Sequence, residues 1–292
     1  MKSKFKRKDK QIFAVWQELR KGKTAIIGFV ITLCVLFLAI FGPLFTPYSA
    51  TALDFANILK PPSFGHPFGT DSLGRDVLTR IIYGIRISVG ISFMGIAIAS
   101  LIGVIVGLMS GYFGGVIDDI VMRFVDLLFA FPSYVLALFL MVALGFGIIN
   151  VILAMALVYI PIFARLMRGM AQMIKEEQYV DAARTVGMND IKIMFMEILP
   201  NGVSPIIVQA TIGIAYAIIL EAGLSFLGLG VQPPAPSLGI ILADGKEFLR
   251  LGWWITTFTG LLITLMLLGF NLLGDGLRDA LDPKLAGQIR RV

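Results

Sequence analysis

Long apolar runs separated by short polar segments dominate this chain of 292 residues. Six of the runs are long enough, at roughly 20 residues each, to cross a bilayer as helices. We place them at about 24–45, 87–109, 127–144, 149–166, 203–220 and 254–273. Pro132 predicts a kink in the third run, because proline removes a backbone hydrogen bond from a helix. The pattern therefore predicts an all-α membrane protein with six transmembrane helices.

One long polar stretch, between Lys175 and Asn201, interrupts the apolar second half of the chain. We interpret it as two short helices joined by a turn. Gly187 ends the first helix, since glycine tolerates the left-handed geometry that follows a helix, and Asn189 can cap the second. Pro200 should stop the second helix or kink the start of the next span.

The first of these short helices has a face of small side chains. Positions at i, i+3, i+4 and i+7 share that face: Tyr179, Ala182, Ala183 and Val186. Asp181 and Arg184 lie on its flanks. The two alanines let another surface approach the backbone closely, which suits insertion into the groove of a partner protein. Spacing alone leaves open the alternative that this helix packs on its own protein.

The segment 46–85, after the first apolar run, is predicted to lie outside the membrane. Asp71 and Ser72 can cap a helix that starts near Leu73. Its apolar positions share one face, which predicts an amphipathic helix at the membrane interface: Val77, Ile81 and Ile85.

Two further features concern the apolar runs themselves. Gly103 and Gly107 form a G-x-x-x-G pair in the second run, which predicts that helices pack there backbone against backbone.

Glu221 lies at the outer end of the fifth run. An ionisable residue at that depth is a candidate for the substrate path or an outer gate. The alternative is an interfacial carboxylate that is hydrogen-bonded by the turn after it.

Composition and charge agree with a membrane protein. Hydrophobic residues make up 57% of the chain, charged residues 15%, and the mean hydropathy is +0.86. The net charge of +6 could suggest nucleic-acid binding. We reject that interpretation, because the basic residues concentrate at both ends and in predicted inner loops, which is the positive-inside pattern. Residues 1–23 and 276–292 are therefore predicted to be cytoplasmic. Residues 12–19 form either a short helix on the membrane surface or part of a flexible basic tail.

The sequence lacks the motifs of several other protein classes. It has no G-x-x-x-x-G-K-[ST] phosphate loop, and a single histidine, His66, excludes most nucleophile–histidine triads and metal clusters. Few ionisable residues fall in mid-span, where an ion-coupled carrier usually places them. We therefore predict no catalytic, cofactor or metal site in this chain, and a source of driving energy outside it.

Two motifs resemble those of one family. The segment Gly69–Asp76, G-T-D-S-L-G-R-D, is similar to the G-T-D-x-x-G-R-D segment in C-type permease subunits of oligopeptide, dipeptide and nickel importers. The polar stretch resembles the E-A-A-x-x-x-G loop of bacterial ABC importer permeases, through Asp181-Ala182-Ala183, Gly187 and Ile198-Leu199-Pro200. Here Asp181 replaces the family's leading glutamate and keeps its charge.

The resemblance implies the fold of a type I importer permease, with a five-helix core at 86–275 that contains a coupling loop at 170–200. It implies that this loop docks on an ATPase subunit through Tyr179, Asp181, Ala182, Ala183, Arg184, Val186 and Gly187. The implied partners are a homologous second permease, two ATPase subunits that bind the ATP, and an extracytoplasmic binding protein. The implied setting is the bacterial inner membrane. Short peptides are the implied substrate, nickel or its chelates are the main alternative, and a stand-alone secondary carrier is the alternative from another class.

Overall fold

The structure is a computed structural model that describes residue 20 and residues 22–281. The predicted surface helix within residues 12–19 and most of the predicted tail lie outside the described residues. In the described part the only β contact is an isolated bridge between Thr70 and Asp76. The helices are α1 (Lys23–Phe41), α2 (Val77–Phe113), α3 (Gly115–Phe129), α4 (Ser133–Leu144), α5 (Ile148–Ile174), α6 (Gln178–Thr185), α7 (Asp190–Phe226), α8 (Leu238–Lys246) and α9 (Trp253–Leu281).

Five described helices are long and apolar enough to cross a membrane, and a bent pair gives up to six spans. The bent pair is α3 and α4, whose axes differ by 92°. The prediction of one kinked span at 127–144 is therefore wrong in its form, because the chain breaks at Phe131 and Pro132 instead of bending within a helix. Proline lacks the N–H that would continue the helix and disfavours helical geometry in the residue before it.

The predicted interfacial helix is also wrong, because it is the first part of the long helix α2. Asp76, not Asp71 or Ser72, caps this helix by accepting a hydrogen bond of 2.8 Å from the backbone N–H of Thr79. Gly74, at φ +75°, keeps the preceding residues out of the helix. The boundary that we placed at 85/86 falls inside α2, and the one at 275/276 falls inside α9.

The apolar face at the start of α2 is buried in the protein and does not lie at the membrane surface. Val77, Ile81 and Ile85 belong to an outer core, to which α1, α7, α8 and α9 also contribute. A second, larger core joins α2 with α4, α5, α6 and α7. The helices α2 and α7 contribute to both cores and therefore connect the two halves of the bundle.

A buried ion cluster holds the external segment on the bundle. Asp71 accepts hydrogen bonds from Arg75 at 2.7 Å and from Arg80 at 2.5 Å. Both arginines also donate to Asp244 on α8, at 3.1 and 3.0 Å. Asp71 and Arg80 are almost completely buried. The cluster therefore neutralises charge that would be costly to bury alone, and it ties the external segment to α2 and α8.

Asp71→Asn is expected to lower the free energy of unfolding by about 3–5 kcal/mol, because it leaves the buried Arg80 short of negative charge. Denaturant or thermal unfolding of the purified protein in detergent measures the change. The matched control is Asp126→Asn, which removes the exposed pair with Arg165 and should cost less than about 1 kcal/mol. Equal losses in the two variants would contradict the structural role of the cluster.

Gly103 and Gly107 lie where α2 crosses α5. A Cβ atom at Gly103 would lie 2.7 Å from the carbonyl oxygen of Ile160, and one at Gly107 would collide with the carbonyl of Ala164. The two helix backbones therefore touch at these positions, which is the arrangement that the G-x-x-x-G spacing predicts.

Candidate functional site

The short helix α6 connects two long helices and ends as the sequence predicts. Gly187 has φ +81°, its N–H donates to the carbonyl of Arg184 at 2.9 Å, and the N–H of Met188 donates to the carbonyl of Ala183 at 3.0 Å. This pair of bonds is the Schellman motif, which satisfies the last carbonyls of a helix. Asn189 then accepts from the N–H of Lys192 at 2.9 Å and caps the next helix.

Pro200 does not end the helix that Asn189 caps, so the first of the two predicted alternatives, a stop at Pro200, is wrong. The chain runs without interruption from Asp190 to Phe226, and residues Ile193–Ile198 form a π-helical segment just before the proline. The N–H of Leu199 bonds to the carbonyl of Met194, five residues back. The wider turn accommodates a residue that cannot donate its own backbone hydrogen bond.

The predicted small-residue face of α6 is divided between the protein's interior and its surface. Val180 is 0% exposed and Ala183 is 8% exposed, and both belong to the larger core. Tyr179 and Val186 are 41% and 79% exposed, and Ala182 is exposed as well. Ala183 is therefore a packing residue, which corrects its assignment to the outward face. The helix has this orientation because burial of the Val180 side chain removes more apolar surface from water than burial of an alanine side chain does.

The exposed face of α6, which we call the coupling surface, consists of Tyr179, Ala182 and Val186. A small side chain lies between two larger apolar ones on this face, and no described residue covers it. Partial burial, reinforced by the charges of Glu177 and Glu197, raises the pKa of the Tyr179 phenol above its usual value. That phenol is therefore neutral at pH 7 and can donate a hydrogen bond to a partner.

Polar contacts near α6 connect it to the inner end of α2. The hydroxyl of Tyr112 donates to Asp190 at 2.5 Å, and the guanidinium of Arg184 lies 5.7 Å from the centre of the Tyr112 ring. Arg184 also contacts Asp181 at 3.3 Å, an exposed pair that contributes little stability by itself. Sequence reasoning missed Tyr112, because its partner lies 78 residues away.

A partly buried ion pair fixes α3 to α5 at the same end of the bundle. Arg168 donates to both carboxylate oxygens of Asp118, at 2.6 and 2.5 Å, and Ser110 donates to the same carboxylate. Bidentate pairs of this kind hold one geometry more firmly than single contacts. The pair therefore fixes the relative positions of α3 and α5 at this end of the bundle.

Glu221 is completely buried, so the structure does not place it on an open path or gate. Its carboxyl accepts a hydrogen bond of 2.7 Å from Ser225, whose hydroxyl in turn accepts one of 3.1 Å from the N–H of Val231. Ser88 and Ser237 also face this carboxyl. The structure therefore differs from both interpretations, because the carboxyl is buried and its hydrogen bond comes from Ser225 within α7, one turn further along the same helix.

Glu221→Gln is expected to retain both transport activity and thermal stability, because the amide oxygen can still accept from Ser225. Glu221→Leu leaves that hydroxyl without its acceptor and should cost about 1–3 kcal/mol in the free energy of unfolding. Uptake assays and thermal unfolding on both variants test this role. Loss of uptake in Glu221→Gln with unchanged stability would instead support a gate.

Comparisons with known proteins agree on one family. The profile described as binding-protein-dependent transport system inner membrane component matches residues 103–287, and the N-terminal TM domain of oligopeptide transport permease C matches residues 11–62. The chain is 44% identical to the dipeptide transport system permease protein DppC of Alkalihalophilus pseudofirmus, over 92% of this chain and 89% of that protein.

Other relatives and one solved structure are also similar. The chain is 40% identical to the di/tripeptide transport system permease protein DppC of Pseudomonas aeruginosa, over 92% and 91% of the two chains. It is 41% identical to the glutathione transport system permease protein GsiD of Pectobacterium atrosepticum, over 92% and 90%. A chain of the MetNI methionine ABC transporter shares the fold, with a TM-score of 0.56, 18% identity, and coverage of 70% of this chain and 97% of that chain.

Proposed function

Since this chain belongs to the inner membrane components of binding-protein-dependent transport systems, in the C-type permease branch of the peptide ABC importers, we propose that it forms half of a peptide path driven by separate ATPase subunits. It is a multi-pass protein of the bacterial inner membrane with the type I importer fold. The homologous second permease, the two ATPase subunits with their ATP, and the extracytoplasmic binding protein are the proposed partners.

The names of the relatives support short peptides as the substrate. They specify dipeptides, di- or tripeptides, and glutathione, which is itself a tripeptide. The names of these relatives do not specify nickel. We therefore propose import of short peptides.

The observation that carries the coupling proposal is the divided face of α6. One side, with Val180 and Ala183, is buried in the bundle, while the other side presents Tyr179, Ala182 and Val186 to a partner. A helix fixed in this way moves with its bundle when the partner moves. Closure of the ATPase dimer on ATP would shift α6 and change the access of the path, provided that the ATPase binds one state of the bundle more tightly.

Ala182→Arg is expected to prevent the ATPase subunits from copurifying with the permease and to abolish ATP-driven dipeptide uptake. The arginine would project from the coupling surface, where the small side chain allows close approach, without entering the core. Ala182→Ser is the matched control and should retain both properties. The buried Ala183 is unsuitable for this test, since Ala183→Arg would disturb packing. Normal copurification and uptake by Ala182→Arg would contradict the coupling role.

A reconstitution experiment distinguishes this function from a stand-alone carrier. The chain alone in proteoliposomes should show no uptake driven by an ion gradient, whereas the complete importer should require ATP. A deletion strain that lacks the chain is assayed for uptake of a panel of peptides and of nickel, with and without the gene supplied again. The compounds whose uptake is restored identify the substrate class. Ion-driven uptake by the isolated chain would support the carrier, and restored uptake of nickel alone would support a metal importer.

A further inference from the structure

The helix α7 has two exposed faces of opposite character. Val203 and Ile207 are 38% and 44% exposed and are purely apolar, as expected for a face toward lipid. Tyr216, 55% exposed, lies nine residues after Ile207, which places it on the opposite side of the helix. Gln209 lies two turns before Tyr216 on the same side, and we call the side with Asn201, Gln209 and Tyr216 the polar face of α7.

Two adjoining cavities open along this polar face. The first, of about 540 Å³, is lined by residues of α5, α7 and α9 that include Asn201, Ser204, Gln209 and Arg278. The second, of about 470 Å³, shares Gln209 with the first and extends to Arg165. Each volume lies within the range of small-molecule sites, about 300–1,000 Å³. Gln209 lines both cavities, Arg278 lines the first and Arg165 the second.

Arg165 pairs with Asp126 and Asn201 donates to the carbonyl of Glu197, but other polar groups of this surface lack such partners. Among the described residues, neither the side-chain amide of Gln209 nor the hydroxyl of Tyr216 makes a hydrogen bond, and Arg278 makes no ion pair. Hydrocarbon cannot satisfy such groups, so at membrane depth they face water, a ligand or another polar surface. The apolar face with Val203 and Ile207 has no such requirement.

We propose that the polar face of α7 and its cavities line the translocation path and bind the main chain of a short peptide in transit. The carboxamide of Gln209 both donates and accepts, so it can pair with a peptide group whatever the neighbouring side chains are. Arg278, at the inner end of the surface, can bind the C-terminal carboxylate. Such contacts read features common to all peptides and leave side-chain selection to other components. The proposal rests on the proposed function as a peptide importer.

Cysteine accessibility in the assembled importer tests this assignment. Cys34, the only native cysteine, is first replaced by alanine. Gln209→Cys and Tyr216→Cys are then treated with a membrane-impermeant maleimide in inside-out membrane vesicles, with and without saturating alanylalanine. Ile207→Cys is the matched control on the opposite face of the same helix.

We expect Gln209→Cys and Tyr216→Cys to react, alanylalanine to slow both reactions, and Ile207→Cys to stay unlabelled. Two results would overturn the proposal: no labelling of the polar-face cysteines, which would show that another surface covers the face, or labelling that the dipeptide does not slow. Dipeptide uptake by the Cys34→Ala importer tests the proposed function separately, so the two failures are distinguishable.

A second variant separates substrate contact from structure. Gln209→Leu keeps the size of the side chain and removes its hydrogen bonds. It should lower the rate of dipeptide uptake by about three- to tenfold, the loss expected for one or two hydrogen bonds, while the melting temperature and ATPase copurification stay unchanged. Ile207→Leu should leave uptake unchanged. Uptake that is normal in Gln209→Leu would remove this residue from the path.

Discussion

Gly187→Val is expected to abolish ATP-driven peptide uptake although the chain still inserts into the membrane. Gly187 has φ +81°, a conformation that costs other residues about 1–2 kcal/mol and β-branched residues more. Relief of this strain breaks the two hydrogen bonds that end α6, from Gly187 to Arg184 and from Met188 to Ala183. The coupling surface would then lose its fixed orientation. Dipeptide uptake and substrate-stimulated ATP hydrolysis by the complete importer measure the effect.

Gly187→Asn is the matched control, because asparagine tolerates the left-handed conformation better than other side chains. No atom lies within 4 Å of a Cβ at this position, so the added side chain itself causes no collision. We therefore expect substantial uptake by Gly187→Asn. If valine and asparagine reduced uptake equally, or if valine had no effect, backbone geometry would not be the reason for this glycine.

Gly107→Ala is expected to prevent stable folding of the bundle. The added Cβ would collide with the backbone carbonyl of Ala164, which cannot rotate away as a side chain can. Overpacking typically costs about 1–3 kcal/mol and sometimes more, and here two backbones of the larger core must separate. Low membrane yield and a strongly reduced melting temperature are the expected observations.

The control for Gly107→Ala is the same substitution elsewhere on α2. Gly90→Ala introduces a Cβ that no atom approaches within 4 Å, so it should leave the melting temperature unchanged or slightly raise it. Both variants have the same change in intrinsic helix propensity. A melting temperature for Gly107→Ala similar to that of Gly90→Ala would show that α2 and α5 are not in contact there.

Local chemistry explains what the sequence predicts correctly at the inner surface. Gly187 and Asn189 act through bonds within a few residues, so their roles can be read from the order of residues alone. The orientation of α6 about its axis depends on which residues pack against Val180, and those residues come from distant parts of the chain. Sequence spacing therefore identified the helix but not which of its alanines faces outward.

The external segment shows the same limit. Asp71 and Asp76 are equally suitable helix caps by type, and the sequence analysis considered only Asp71 and Ser72. Asp71 is instead engaged by Arg80 and Arg75, which share Asp244 from a position more than 160 residues further along the chain. A cap competes with such long-range ion pairs, and only the folded structure determines which prevails.

Sequence reasoning singled out Glu221 and passed over the polar face of α7 for a related reason. An ionisable residue at a span end attracts attention, yet Glu221 is buried and Ser225 on the same helix donates to one oxygen of its carboxyl. Gln209 is uncharged and lies in an apolar run, so the surrounding sequence gives little indication of a functional role. Its significance depends on the missing partner and on the two cavities that meet beside it.

The most direct test of the account is a crosslink from the coupling surface to the ATPase. Ala182→Cys in the Cys34→Ala background is placed in the complete importer and treated with a short bifunctional maleimide. We predict a covalent product that contains this chain and an ATPase subunit, with a yield that changes when ATP is added. Modification by an impermeant reagent only from outside the cell, with no ATPase product, would contradict the inward-facing, docked position of α6.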